Sequence, residues 1–97
     1  MSHYNSVILV GFASRYNFGT TASGVKYAEF RMLVVDRFTQ KETKNYFNIV
    51  CYSGIADLVE RFQEDNKHIL VDGRISPQSD EYGNQWIEII ATQVKFL

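Results

Sequence analysis

Ninety-seven residues, 45% hydrophobic and 14% aromatic, are enough for one domain around a single core and too apolar for a disordered chain. A net charge of −1 and a pI of about 6.1 exclude a generally basic surface, so only the local placement of ten Lys/Arg against eleven Asp/Glu can attract a polyanion. The single cysteine, Cys51, excludes an internal disulfide and cysteine-rich metal centres, no apolar run approaches the roughly 20 residues of a bilayer span, and residues 1–6 lack the basic and apolar regions of a signal peptide, so a cytoplasmic setting is expected.

Beta-branched and aromatic residues are plentiful and there is one proline, which favours a mainly-β fold. Ser6 to Phe12 reads as a strand apolar on both faces, so each face needs cover from the core or from another subunit. Arg15 to Gly24 is rich in turn formers and closes at Ser23-Gly24. Val25 to Val35 is a second strand, in which Ala28, Phe30, Met32 and Val34 alternate with Tyr27, Glu29, Arg31, Leu33 and Val35. Asp36 to Lys44 is a polar loop with one aromatic, Phe38.

The third strand, Asn45 to Tyr52, is the most informative segment. Period two puts Phe47, Ile49 and Cys51 on a core face and Tyr46, Asn48, Val50 and Tyr52 on the other. An open, aromatic-bearing sheet face is what stacking of unpaired bases requires, because every base offers a π-face.

The period then changes. Ile55, Leu58, Val59 and Phe62 follow helical spacing, with Ser53 as the expected N-cap, Asp57 and Glu60 near the positive end of the helix dipole, and a stop near Asn66. His68 to Ile75 returns to period two, with Leu70, Asp72 and Arg74 on its polar face. Ser76 to Gly83 reads as a hairpin connection with Gly83-Asn84 as its turn, and Gln85 to Phe96 as the last strand. Strand, strand, strand, helix, strand, strand is the order of the five-stranded Greek-key barrel called the oligonucleotide/oligosaccharide-binding (OB) fold, an all-β class with one helix between strands three and four. A sandwich usually has more strands and no mid-chain helix.

Five short stretches at family-like spacing then add a resemblance. They are Val7-Ile8-Leu9-Val10-Gly11, Thr21 to Val25 followed by Ala28-Glu29-Phe30-Arg31, Tyr46-Phe47-Asn48-Ile49-Val50, Val71-Asp72-Gly73-Arg74, and Gln93 to Leu97. Through them the chain resembles bacterial-type single-stranded DNA-binding proteins (SSB) along nearly its whole length. The resemblance implies an OB domain over residues 1–97 that binds single-stranded DNA without sequence preference. It implies a role in replication, recombination and repair, a nucleoid-associated location, replication and repair proteins as partners, and a homo-oligomer, a tetramer or a dimer. Carried over position by position, it implies base stacking on Phe38, Tyr46 and Tyr52. The family's fourth stacking place falls on Asp80 or Gln78, neither aromatic, with Tyr82 as the substitute. Where the family favours tryptophan these positions hold smaller rings, and the only tryptophan, Trp86, reads as packing. The family's acidic C-terminal tail has no counterpart before Leu97.

Phosphate contacts need cations beside those rings. The candidates are Arg15, Lys26, Arg31, Arg37, Lys41, Lys44 and Arg74, with Arg61 and Lys67 expected off the groove. Catalysis is not expected: His3 and His68 lie far apart in sequence, an inward-pointing Cys51 is a poor nucleophile, and no cluster has metal-ligand spacing or phosphate-cradling glycines, so neither metal nor cofactor is foreseen. Two functions stay open. One is sequence-independent binding of single-stranded DNA. The other is an OB protein-interaction module of replication restart with weak nucleic-acid binding. An RNA-binding role is a lesser variant of the first.

Overall fold

The computed structural model describes residues 3–38 and 40–97. Its elements are β1 (Val7–Thr20), β2 (Lys26–Phe38), β3 (Lys41–Tyr52), α1 (Ser53–Phe62), β4 (Lys67–Ser79) and β5 (Gln85–Phe96). The strands close in the order β1-β2-β3-β5-β4, antiparallel throughout except for a short parallel ladder between β3 and β5. This is the OB barrel, with its helix between the third and fourth strands.

Closure depends on β1 serving two neighbours. Its first half pairs with β4 from Val7↔Gly73 to Ala13↔Lys67, and its second half pairs with β2 from Phe12↔Leu33 to Thr20↔Lys26. A register shift between Ser14 and Asn17, with Arg15 at φ 57°, bends the strand from one partner to the other. The matching irregularity leaves Thr92 of β5 as the extra residue beside Gly73 of β4, where an added Cβ would run into the Ile90 carbonyl.

Inward positions build the core, at period two except across the irregularity at Thr92: Ala28, Phe30 and Met32 from β2, Ile49 and Cys51 from β3, Ile69 and Val71 from β4, Ile89, Ala91 and Val94 from β5. Helix α1 adds Ala56 and Val59 and plugs the barrel end. Tyr16 also closes that end. Its ring lies 5.6 Å from Phe30 and its hydroxyl donates to the Glu64 carbonyl at 3.1 Å, so Tyr16 serves packing.

Several boundaries differ from the sequence reading. Residues 15–20 are strand, and the turn is confined to Thr21–Val25, because β2 supplies ladder partners as far as Lys26. The polar stretch Asp36–Lys44 is mostly strand as well. Arg37 pairs with Glu42 and Phe38 with Lys41, so β2 and β3 continue as a two-stranded arm beyond the barrel. Strand β4 runs on to Ser79, and only Asp80–Asn84 turns. Ser53 does not cap the helix. Tyr52 holds the N-cap position without a side-chain bond, and Ser53 has φ 55°. Val50, expected on the open face, is only 5% exposed, with Glu29 of β2 and Ile90 of β5 as its ladder neighbours.

Candidate nucleic-acid interface

The outer face of β3 carries the two expected platforms. Tyr46 is 60% exposed and Tyr52 41% exposed, whereas the alternating Ile49 and Cys51 are sealed in the core. Neither tyrosine belongs to the barrel core. The Arg31 guanidinium lies 5.7 Å from the centre of the Tyr46 ring, so this ring already holds a cation on one face. Tyr52 pairs across the ladder with Tyr27, whose own partner on β1 is Gly19. Phe38 ends β2 on the arm, but its side chain lies outside the described residues. Tyr82 is 82% exposed at the tip of the β4–β5 turn, six residues along the chain from Glu88, the residue of β5 that meets β3. That turn is held by Asp80, whose carboxylate accepts from the Tyr82 and Asn84 amides and from the Asn84 side chain, at 2.9–3.0 Å. The Asn84 bonds pull the Asp80 carboxyl below its ordinary range.

The cations separate into three groups. Arg15 and Arg31 share one polar groove of about 280 Å³, with Asn48 beside Arg31 on the neighbouring strand. Arg74 stands on the outer face of β4, opposite Ile90 of β5. Arg37, Lys41 and Lys44 ride the β2–β3 arm, where Arg37 lies 3.8 Å from Glu42. Lys26 does not join any of them. Its ammonium lies 2.7 Å from Asp57 and 3.0 Å from Glu60, and these hydrogen bonds, Asp57 first, raise its pKa above the ordinary value. The sequence reading could not bring β2 against α1, so it counted as free a charge that the helix holds.

Sequence reasoning also missed two carboxylates. Glu29 and Glu88 line the same groove as Arg15 and Arg31. Alternation alone would have placed Glu29 beside Arg31, but Glu88 comes next to Asn48 only through the parallel β3–β5 ladder. The groove therefore presents donors and acceptors in near balance, which suits base edges as much as phosphates.

Cys51 is buried as expected. Its Sγ faces the Ala28 carbonyl at 3.7 Å, and burial pushes the thiol up to about 11. Among the described residues no group of His, Cys, Asp and Glu could hold a metal ion, and no described helix is long and apolar enough to cross a membrane. The first strand keeps one apolar stripe in the open: Ile8 at 63%, Val10 at 44% and Phe12 at 43% exposure.

Solved structures share this architecture. A Plasmodium falciparum SSB in complex with single-stranded DNA superposes with a TM-score of 0.89 at 20% identity, over 100% of this chain and 97% of that one. A single-stranded DNA-binding protein from Thermus aquaticus gives 0.85 at 20% identity, over 97% of this chain and 50% of that one. The protein PriB from Ralstonia solanacearum gives 0.78 at 9% identity, over 98% and 100%. No curated protein sequence matches. The sequence profile of the Single-strand binding protein family matches residues 4–97, and the chain belongs to that family.

Proposed function

We propose that this OB domain binds single-stranded DNA independently of sequence, stacking bases on Tyr46 and Tyr52 and drawing phosphates to Arg15, Arg31 and Arg74. The observation that carries the reading is the pair of exposed tyrosines on the one sheet face that also holds a free-standing groove with two arginines. Stacking needs only a π-face and phosphate attraction only charge, so neither component selects a sequence. Family membership and a fold shared with an SSB–DNA complex support it. Phe38, Lys41 and Lys44 on the arm, and Tyr82 on the opposite hairpin, extend the same path. Lys26 is left out because its charge is engaged with the helix.

The exposed stripe Ile8–Val10–Phe12 supports self-association through β1, into a dimer or a tetramer around which one strand gains avidity. In this reading the chain is a non-catalytic, nucleoid-associated cytoplasmic protein of replication, recombination and repair. A second reading, a protein-docking OB module of replication restart, draws on Glu29 and Glu88, which weaken the groove's attraction for phosphate.

Anisotropy titration with labelled oligo-dT at several salt concentrations separates the two. Tight binding that weakens as salt rises is expected. No binding at low salt would hand the argument to the docking module. Light scattering tests the assembly: a monomer at micromolar concentration would overturn the wrapping picture.

A further inference from the structure

The β4–β5 hairpin carries an exposed ring that the stacking on Tyr46 and Tyr52 leaves unused. Trp86 stands on β5 opposite Gln78 of β4. Two residues further on, Glu88 pairs with Asn48 of β3. Residues two apart on a strand share a face, so Trp86 stands on the same outer face as Asn48 and Tyr46. The two strands run parallel, so Tyr46 and Trp86 each lie two residues before the Asn48/Glu88 pair, on the same side of it.

The indole is 41% exposed, and among the described residues no other ring stacks on it. The buried part of β5 begins only at Ile89, so the core does not use it. The ring borders an open groove of about 680 Å³ lined by Pro77, Gln78, Ser79, Gln85 and Ile87. That lining is apolar with uncharged amides and a hydroxyl, and it holds no carboxylate to repel a phosphate backbone. The Gln78 amide nitrogen donates to the Ser76 hydroxyl at 2.9 Å, and its carbonyl oxygen retains the capacity to accept from a base.

We infer that Trp86 is a further base-stacking platform, taking an unpaired nucleobase from a DNA strand that leaves Tyr46 and crosses β5 onto the β4–β5 hairpin. A nucleobase is the occupant that suits a flat ring between uncharged hydrogen-bonding groups on a surface continuous with the proposed DNA path. Arg74, further along the same face of β4, supplies a cation for the backbone. The inference rests on the single-stranded DNA reading, and its test keeps the two apart.

Trp86 is the only tryptophan, so emission excited at the red edge of the indole band, where the six tyrosines do not absorb, reports on this site alone. The full chain is titrated with labelled oligo-dT at about 50 mM salt, following label anisotropy and tryptophan emission together. Anisotropy is expected to rise while emission is quenched over the same concentrations. Trp86→Ala should weaken binding about 5- to 150-fold, with Trp86→Phe retaining most of the affinity. Quenching should persist in a Tyr46→Ala/Tyr52→Ala background at higher DNA concentration. Should Trp86→Ala fail to fold, checked by circular dichroism, Trp86→Phe and the quench decide. A rise in anisotropy with unquenched emission and parental affinity in Trp86→Ala overturns the platform and leaves the DNA reading standing. No anisotropy change at any concentration removes both. Emission that shifts with protein concentration alone places the ring between copies of the chain and overturns the inference.

Discussion

Replacing Tyr46 and Tyr52 together with alanine isolates the stacking part of the affinity. Each ring is largely outside the core, so truncation removes little buried area. The folded state loses a cation–π contact between Arg31 and Tyr46, about 0.5–1 kcal/mol at an exposed site, and the Tyr27–Tyr52 cross-strand pair, about 0.2–1 kcal/mol. Together these lower the melting temperature by at most roughly 10–15 °C in a domain of this size. The effect on DNA is larger. Stacking is worth about 1–3 kcal/mol per base, or about 5- to 150-fold in affinity per ring. The two residues are six apart on one strand, roughly 20 Å, which is beyond the range at which substitutions couple. Their losses should therefore add, giving about 2–6 kcal/mol. The assay is oligo-dT anisotropy on parent, both single variants and the double variant, each first shown by thermal melting to be folded. A double variant that binds as tightly as the parent would refute the proposed platform, and two single losses far from additive would refute two independent stacking sites.

The cations make a paired prediction. Arg31→Ala should make log K against log salt shallower by about 0.7, the value of one phosphate contact on a single strand, whereas Lys26→Ala should leave that slope unchanged, because Lys26 already serves Asp57 and Glu60. Gly73→Ala drives a methyl into the Ile90 carbonyl and should cost about 2–3 kcal/mol, while Gly54→Ala, on α1 with open space around it, should gain about 0.5–1 kcal/mol; denaturant melts measure both. Cys51 holds its proton from an ordinary 9.0 up to about 11 in the folded state. Because the folded pKa is the higher one, the stabilisation is complete below about pH 9 and is lost as pH rises from 9 to 11, some 2–3 kcal/mol in all; the difference between parent and Cys51→Ala unfolding curves at pH 8 and 11 should show it.

How far the sequence could be read depends on whether a residue's setting is local. Alternation in residues 45–52 placed Tyr46 and Tyr52 outward and Ile49 and Cys51 inward, because a strand's pleat needs no knowledge of its neighbours. Helical spacing located α1 and its buried Val59 but missed Ala56 and expected Phe62 inside. Ala56 and Val59 are sealed, while Phe62 is 47% exposed, because the helix only plugs one barrel end and its last turn overhangs. The arm from Asp36 to Lys44 looked like a loop because its residues are polar, yet ladder bonds are made by backbone, and β3 supplies them at every position from Tyr52 back to Lys41. Lys26, Glu88 and Trp86 were illegible for another reason. Each owes its surroundings to an element distant in sequence: α1 for Lys26, β3 for Glu88, and for Trp86 a hairpin that extends beyond the core.

Charge sorting explains why a chain of net charge −1 can still suit a polyanion, and which part of the affinity must dominate. Two lysines are consumed near the helix end: Lys26 by Asp57 and Glu60, and Lys67 by Glu64 at 3.4 Å. That gathers acidic charge around α1 and leaves Arg15, Arg31 and Arg74 for the outer face. Yet Glu29 and Glu88 sit in the groove with two of those arginines, so the local field there is weak. Three phosphate contacts per subunit give a salt slope of only about −2, and the path over the arm adds at most Lys41, Lys44 and Arg37, the last of these 3.8 Å from Glu42, to that sum. Two or three rings at about 1–3 kcal/mol each outweigh this at moderate salt. A face built in this way holds DNA chiefly by its bases, so its grip should relax only modestly as ionic strength rises and should fail when the rings are removed.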